Sequence, residues 1–272
     1  MATAPIWALL LQLQGTEPVP SVDCAAPISD EARKTAQDLF RESQPALLAA
    51  NHQAAEPLLA RALALDPLNA FAQYGQGEAH MAAHRYPEAV AAFSRSREAF
   101  RCTSRLSGEE RKLAERRMRD AIRELRDGIR SLEDRRLKES RVAWKEMNGE
   151  TATLQETQRA TNNLRNRLED LESALKHGDR APLGVTLALG TAHFQAGALD
   201  AAEREFRAVI RADPDSGDAH NNLAVVCMLT GRLDEAVREV RATENAGVPV
   251  TPQLKQELER RKREQRQAGK EP

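Results

Sequence analysis

Aromatic residues are scarce in this chain: two tryptophans, two tyrosines and six phenylalanines among 272 residues. Alanine, arginine, leucine and glutamate dominate instead, and that composition favours helix throughout. Net charge is lacking too. Forty Lys and Arg stand against 41 Asp and Glu, a formal balance of −1. Such a chain has no global field to draw it to nucleic acid or an anionic membrane surface. At 41% hydrophobic and 30% charged, it reads as a soluble globular chain, long enough for one or two domains with real cores.

Cysteine is sparse as well. Cys24, Cys102 and Cys227 are far apart and odd in number, and no two fall in a C-x-x-C spacing. That pattern argues against a disulfide framework or a zinc site and implies plain thiols. No G-x-x-x-x-G-K-[ST], G-x-G-x-x-G or G-x-S-x-G stretch is present, and no Ser/His/Asp or Cys/His set can be assembled. His80 and His84 form an H-x-x-x-H spacing that puts both rings on one face of a helix, but the Glu of a metalloprotease H-E-x-x-H is missing. The expectation is a protein without catalytic residues, metal or cofactor.

Long apolar runs are absent, and no transmembrane segment is expected. "APIWALLLQLQG", residues 4–15, has an apolar core too short to span a bilayer. It resembles the hydrophobic part of an export signal, although no Lys or Arg precedes it and no clean A-x-A site follows. The Pro- and Gly-rich "GTEPVPSVDCAAP" after it reads as an extended linker. Residues 1–28 are therefore expected to be a leader and linker. The matching location is exported, periplasmic or envelope-associated; a plain leader on a cytoplasmic protein is the alternative.

What the sequence has in abundance is repetition. Ala55, Ala89, Ala202 and Ala236 occupy one position of a unit that recurs at 34 residues within each of two pairs. Leu59, Phe93, Phe206 and Val240 follow four residues later. Twelve residues before each alanine stands a small residue: Ser43, Gly77, Gly190 and Ala224. Gly197 and Gly231 mark turns in the second pair, while Asn51 and Arg85 lie one residue past the same place in the first. Small residues let two antiparallel helices approach, and the large residue fills the groove so opened. Gly supplies a left-handed helix end, and Pro67 and Pro214 stop the second helix of each leading unit.

This spacing resembles the tetratricopeptide repeat family. The best copy, "LGVTLALGTAHFQAGALDAAEREFRAVIRADP", carries Leu189, Gly190, Phe194, Gly197, Ala202, Phe206 and Pro214, and the next carries Leu223, Ala224, Gly231 and Ala236. The resemblance implies an all-α α-solenoid of two repeat pairs, at 29–103 and 182–249, that binds a protein or peptide partner. By the family's pattern, the first helix of each unit lines a groove. That places Phe71, Tyr74, Glu78 and Met81 in the first groove, with Leu187, Thr191, Gln195, Asn221, Asn222, Val225 and Met228 in the second. Some relatives grip a carboxylate with basic residues, but here Leu187, Thr191, Asp218 and Asn221 stand at the corresponding sites, so that function is not implied. His84 falls at the family's inter-helix turn. Pro45 should kink or split the first helix, and Arg101 and Val248, replacing the helix-stopping proline, imply last helices that run on or turn differently.

Residues 104–181 differ. From Ser107 and Glu110, a capping-box start, apolar residues recur as Met118, Ile122, Leu125, Ile129 and Leu132. A second run is Thr161, Leu164, Leu168, Leu171 and Leu175. Steps of four and three on a charged rod are a coiled-coil pattern. With 18 basic against 16 acidic residues over 107–181, the rod is balanced, which argues against nucleic acid. Asn148 and Gly149 read as a helix stop between two helices, about 107–146 and 151–177, folded into an antiparallel hairpin. The alternative is a continuous helix that makes a homo-oligomer through residues 107–177. Gly178 and Pro182 close the segment. Thr251 and Pro252 then open a polar helix within 250–272 that carries only Leu254 and Leu258, a solvating cap for the last repeat, with its Arg260–Arg263 run a solvated face.

Overall fold

The computed structural model describes residues 23–24, 28–105, 108–145 and 181–268, with scattered positions between Leu154 and Leu175. The leader, Asn148, Gly149 and Gly178 lie outside the described residues. Among the described residues there is no strand. The continuous helices are α1 (Asp30–Leu48), α2 (His52–Leu65), α3 (Ala70–Ala82), α4 (Tyr86–Arg105), α5 (Gly108–Lys145), α6 (Leu183–Gln195), α7 (Leu199–Ala212), α8 (Gly217–Leu229), α9 (Leu233–Asn245) and α10 (Pro252–Ala268). The fold is an all-α solenoid of packed helical hairpins: α1 lies on α2, α2 on α3, α7 on α8, α8 on α9 and α9 on α10. Two compact units divide it, one of residues 20–83 with 92–185, the other containing 84–91 and the chain from Thr186 onward.

Local chemistry sets the helix ends. Ser29, Asn51 and Asn69 each accept a backbone N–H three residues on, at 3.1, 3.2 and 3.0 Å, satisfying donors the first turn leaves orphaned. At the other end, Gly197, Gly231 and Gly247 take φ of 78°, 78° and 77°. The next residue then reaches back to a helix carbonyl, as Ala198 does to His193 at 2.9 Å and Arg232 to Cys227 at 2.9 Å. In the first pair Ala50 (φ 52°) and His84 (φ 57°) hold the equivalent left-handed place without being glycine. His84 is therefore past the end of α3 and shares no helical face with His80. Its Nδ1 meets the Tyr86 hydroxyl at 2.7 Å.

Ala55, Leu59, Ala89, Phe93, Ala202, Phe206, Ala224 and Ala236 are all buried. A Cβ on Gly77 would lie 2.5 Å from the Phe93 ring, and one on Gly190 would lie 2.7 Å from the Phe206 ring. Each ring thus occupies the volume that its glycine vacates. Pro45 breaks nothing: α1 runs unbroken to Leu48 with Pro45 in its last turn. There the missing N–H costs one ladder bond, and the Pro45 carbonyl still accepts from Ala49 at 3.0 Å. Where proline is replaced, α4 runs on to 20 residues against 14 for α2, whereas α9 turns at Gly247.

In the first unit, α5 meets described positions that lie between Leu154 and Leu175. Arg126 Nη2 meets Glu172 at 2.6 Å, Arg165 Nη2 meets Glu133 at 2.5 Å, and the Thr157 hydroxyl donates to Glu139 at 3.0 Å. Partners descend on one segment as they ascend on the other, so the pairing is antiparallel and within one chain. Between the segments, Ile129, Leu132 and Leu164 are buried with Leu125 and Leu168 against them, and Ile122 packs near Leu168 and Leu175.

The expectation of three plain thiols is overturned as well. Cys24 and Cys102 form a disulfide, with Cα atoms 5.2 Å apart and a sequence separation of 78. Spacing rules read local clusters and are blind to cysteines that three intervening helices and most of a fourth carry together. Cys227 remains a buried thiol.

Candidate functional site

On α8, steps of three and four residues place Asp218, Asn221, Asn222, Val225 and Leu229 on one side of the helix. Asp218 is exposed, the next three are half-buried, and Leu229 is 44% exposed. Every other side of α8 is buried: Ala219, His220, Leu223, Ala224, Val226, Cys227 and Met228. α8 is thus the middle layer of its unit with one uncovered stripe, amide-bearing at its start and aliphatic at its end.

Met228 does not belong to that stripe. It is 7% exposed and sits in the core with Val250 and Leu258, while its carbonyl accepts from Arg261 of α10 at 3.2 Å. α10 covers this position, as a cap on the last repeat does, and it is held by Leu258 in the core and by Lys262 on Asp234 at 3.0 Å. The basic run from Arg260 is engaged with Glu257 and Glu264. On α6, Leu187 is half-buried against the core, the Thr191 hydroxyl donates to the Leu187 carbonyl at 3.0 Å, and Gln195 is exposed.

The first unit's candidates are more committed to packing. Phe71 stacks on Phe40 with ring centroids 6.0 Å apart and meets the edge of Phe100 at 5.4 Å. Tyr74 tilts against Phe93 at 5.3 Å. Glu78 and Met81 are half-buried. The aromatic rings here join α1, α3 and α4 and offer little free face to a ligand.

Around the α7–α9 layer lies a charge cluster that repeat spacing does not announce. Arg232 grips Glu203 through both guanidinium nitrogens and reaches Glu235 at 3.2 Å, and Arg207 bridges the same two carboxylates at 2.8 and 2.6 Å. The Arg232 hydrogen bond holds the Glu203 carboxyl below its ordinary range against the opposing effect of burial. Beside it, burial pushes the Cys227 thiol up to about 12, helped by the Glu235 charge, and a thiol so protonated is no nucleophile. Sequence reasoning also missed His220, whose two ring nitrogens face the Glu239 carboxylate and the Pro214 carbonyl. The available signal was positional: His220 and Gln73 both stand four residues before the small residue of a second repeat. Among the described residues, no group of three or more His, Cys, Asp or Glu is placed to hold a metal ion, and no helix is long and apolar enough to cross a membrane.

Helical hairpins closed by small-residue contacts and left-handed turns define the class: a stacked helical-repeat protein. The tetratricopeptide repeat family model matches residues 40–101 and 187–247, and these two segments are tetratricopeptide repeats. No curated protein matches the chain. Repeats of this family generally mediate protein–protein interaction.

Proposed function

We propose that the protein is a non-catalytic scaffold that binds a peptide or helix of a protein partner along the inner faces of α6 and α8. The observation that carries this reading is the stripe Asp218–Asn221–Asn222–Val225–Leu229, uncovered on a helix buried everywhere else. An amide pair can hydrogen-bond a peptide backbone, and adjacent aliphatic residues give an apolar side chain somewhere to go. We assign Leu187, Thr191 and Gln195 of α6 to the same surface by the family's pattern, in which the first helix of each repeat lines the groove.

A display selection of peptides on the full-length protein, followed by amide chemical-shift mapping, tests the proposal. Perturbations should gather on Leu187, Thr191, Asn221, Asn222 and Val225. Replacing Asn221 and Val225 by alanine should weaken the selected peptide about tenfold, roughly 1.4 kcal/mol. Shifts confined to other surfaces, or unchanged affinity in the double variant, would remove the groove reading.

The homo-oligomer alternative finds less support, because Ile129, Leu132 and Leu164 are already buried against each other within one chain. We further propose that the protein is exported to an oxidising compartment, the periplasm or envelope. The Cys24–Cys102 bond supports this, because such bonds persist where thiols are not kept reduced. Fractionation of the native host with thiol labelling tests it: a cytosolic protein with all three thiols free counts against export.

A further inference from the structure

Two side chains in the two units do the same job by different chemistry. Gln73 stands six residues after Pro67, and His220 stands six residues after Pro214. Gln73 Nε2 donates to the Pro67 carbonyl at 3.3 Å, and His220 Nε2 lies 3.0 Å from the Pro214 carbonyl. A carbonyl only accepts, so His220 Nε2 carries a proton. The other nitrogen, Nδ1, is 2.6 Å from Glu239 Oε2 on α9. A carboxylate oxygen accepts, so a proton on Nδ1 is what satisfies this contact. Both nitrogens then donate, and a ring that donates twice is an imidazolium.

We infer that His220 is a proton-operated latch: doubly protonated, it ties the Asp213–Pro214 turn to α9 across the first turn of α8, and it slackens when it gives up its second proton. A neutral ring has one N–H for two acceptors. It either turns its Nδ1 lone pair on the Glu239 carboxylate or abandons Pro214. Gln73 in the first unit has no titration and cannot respond in this way. The charged groups acting on the ring are Glu239 from α9 and Asp213 from the turn, both acidic, with Asp218 exposed on α8 itself. Burial opposes the charged ring, but the hydrogen bonds to Glu239 and Pro214 and the two carboxylates outweigh it, so the ring titrates above its ordinary value. The sign follows from that direction. The folded value lies above the unfolded one, so the latch contributes fully below about pH 6.5 and is lost as pH rises through the raised folded value.

The test uses the full chain. Thermal unfolding is followed from about pH 5.5 to about pH 8.5, spanning the ordinary imidazole range, for the wild type, His220→Gln and Glu239→Gln. Imidazole midpoints are read by nitrogen-detected NMR. The wild type should show a His220 midpoint above 6.5 and a melting temperature that falls across the range. His220→Gln, which installs the side chain Gln73 already uses, should flatten that fall, and Glu239→Gln should lower the His220 midpoint. If His220→Gln does not fold, the midpoints of the wild type and Glu239→Gln decide alone. A wild-type midpoint at or below 6.5, a midpoint unmoved by Glu239→Gln, or equal pH slopes in the wild type and His220→Gln would overturn the latch.

Discussion

The ring of Phe93 fills the space above Gly77 so completely that a single added carbon would come within 2.5 Å of it. Gly190 and Phe206 repeat the relationship at 2.7 Å, and the register extends to all four units. Sixteen residues separate Ser43 from Leu59, Gly77 from Phe93, Gly190 from Phe206 and Ala224 from Val240. Size is traded across the pair: glycine goes with the largest partner, and alanine and serine go with aliphatic ones. Gly190→Ala should therefore destabilise the fold by about 1–3 kcal/mol from overpacking, partly offset by the roughly 1 kcal/mol that alanine gains over glycine in a helix. Phe206→Leu should relieve it. Urea unfolding of both single variants and the double variant checks this. A coupling energy below about 0.5 kcal/mol means the two residues do not constrain each other.

The left-handed turn position makes an opposite pair of predictions. Ala50 and His84 adopt φ of 52° and 57°, where glycine stands at 197 and 231. A side chain in that region costs roughly 1–2 kcal/mol, offset by glycine's greater loss of freedom on folding. Ala50→Gly should then stabilise the protein by up to about 1 kcal/mol. Gly231→Ala should destabilise it by a similar amount although nothing lies within 4 Å of the added carbon. Denaturant midpoints for the two variants must move in opposite directions, and a shift of the same sign in both would reject the backbone explanation.

How much of this was legible beforehand follows from the range over which each interaction acts. Ala202, Phe206, Gly197 and Gly190 interact at fixed short offsets that repeat, so register alone exposed their packing and, with it, the fold. Pro45 was misread because its effect depends on where the helix ends, a matter of one turn. Met228 and Asn222 lie on the same helix with similar sequence surroundings, and only α10 settles that the first is covered. Cys24 and Cys102 left no trace, because their meeting requires the whole of α1–α4. His220 looked like any helical histidine until its two acceptors were in view.

In the hairpin, apolar burial should outweigh ion pairing. Leu164 is 1% exposed, so Leu164→Ala removes a buried side chain at a cost of about 2–5 kcal/mol. Arg165, one residue on, pairs with Glu133, but both side chains are about half exposed, which limits the pair to roughly 0–1 kcal/mol and makes it sensitive to salt. Thermal melts of Leu164→Ala and Arg165→Ala at low and high salt separate the two. The prediction fails if the arginine variant is the more destabilised.

The disulfide gives a prediction whose size the chain itself sets. Joining Cys24 to Cys102 closes a loop across a separation of 78, and chain-entropy reasoning assigns such a closure up to about 4.5 kcal/mol, with about 2–4 typical of disulfides. The rest of the first unit keeps its own core, since Ala36, Phe40, Ala55, Leu59 and Ala72 are buried together without help from either sulfur. Cys24→Ser, or reduction of the wild type, should therefore lower the melting temperature and still leave a helical protein by circular dichroism. Cys227 cannot substitute for the missing partner, because it is buried and its thiol is pushed up to about 12. Peptide mapping without reductant should accordingly find a single cross-link, between Cys24 and Cys102. An unchanged melting temperature on reduction would show that the helices already hold residue 24 in place and that the bond adds nothing to the folded state.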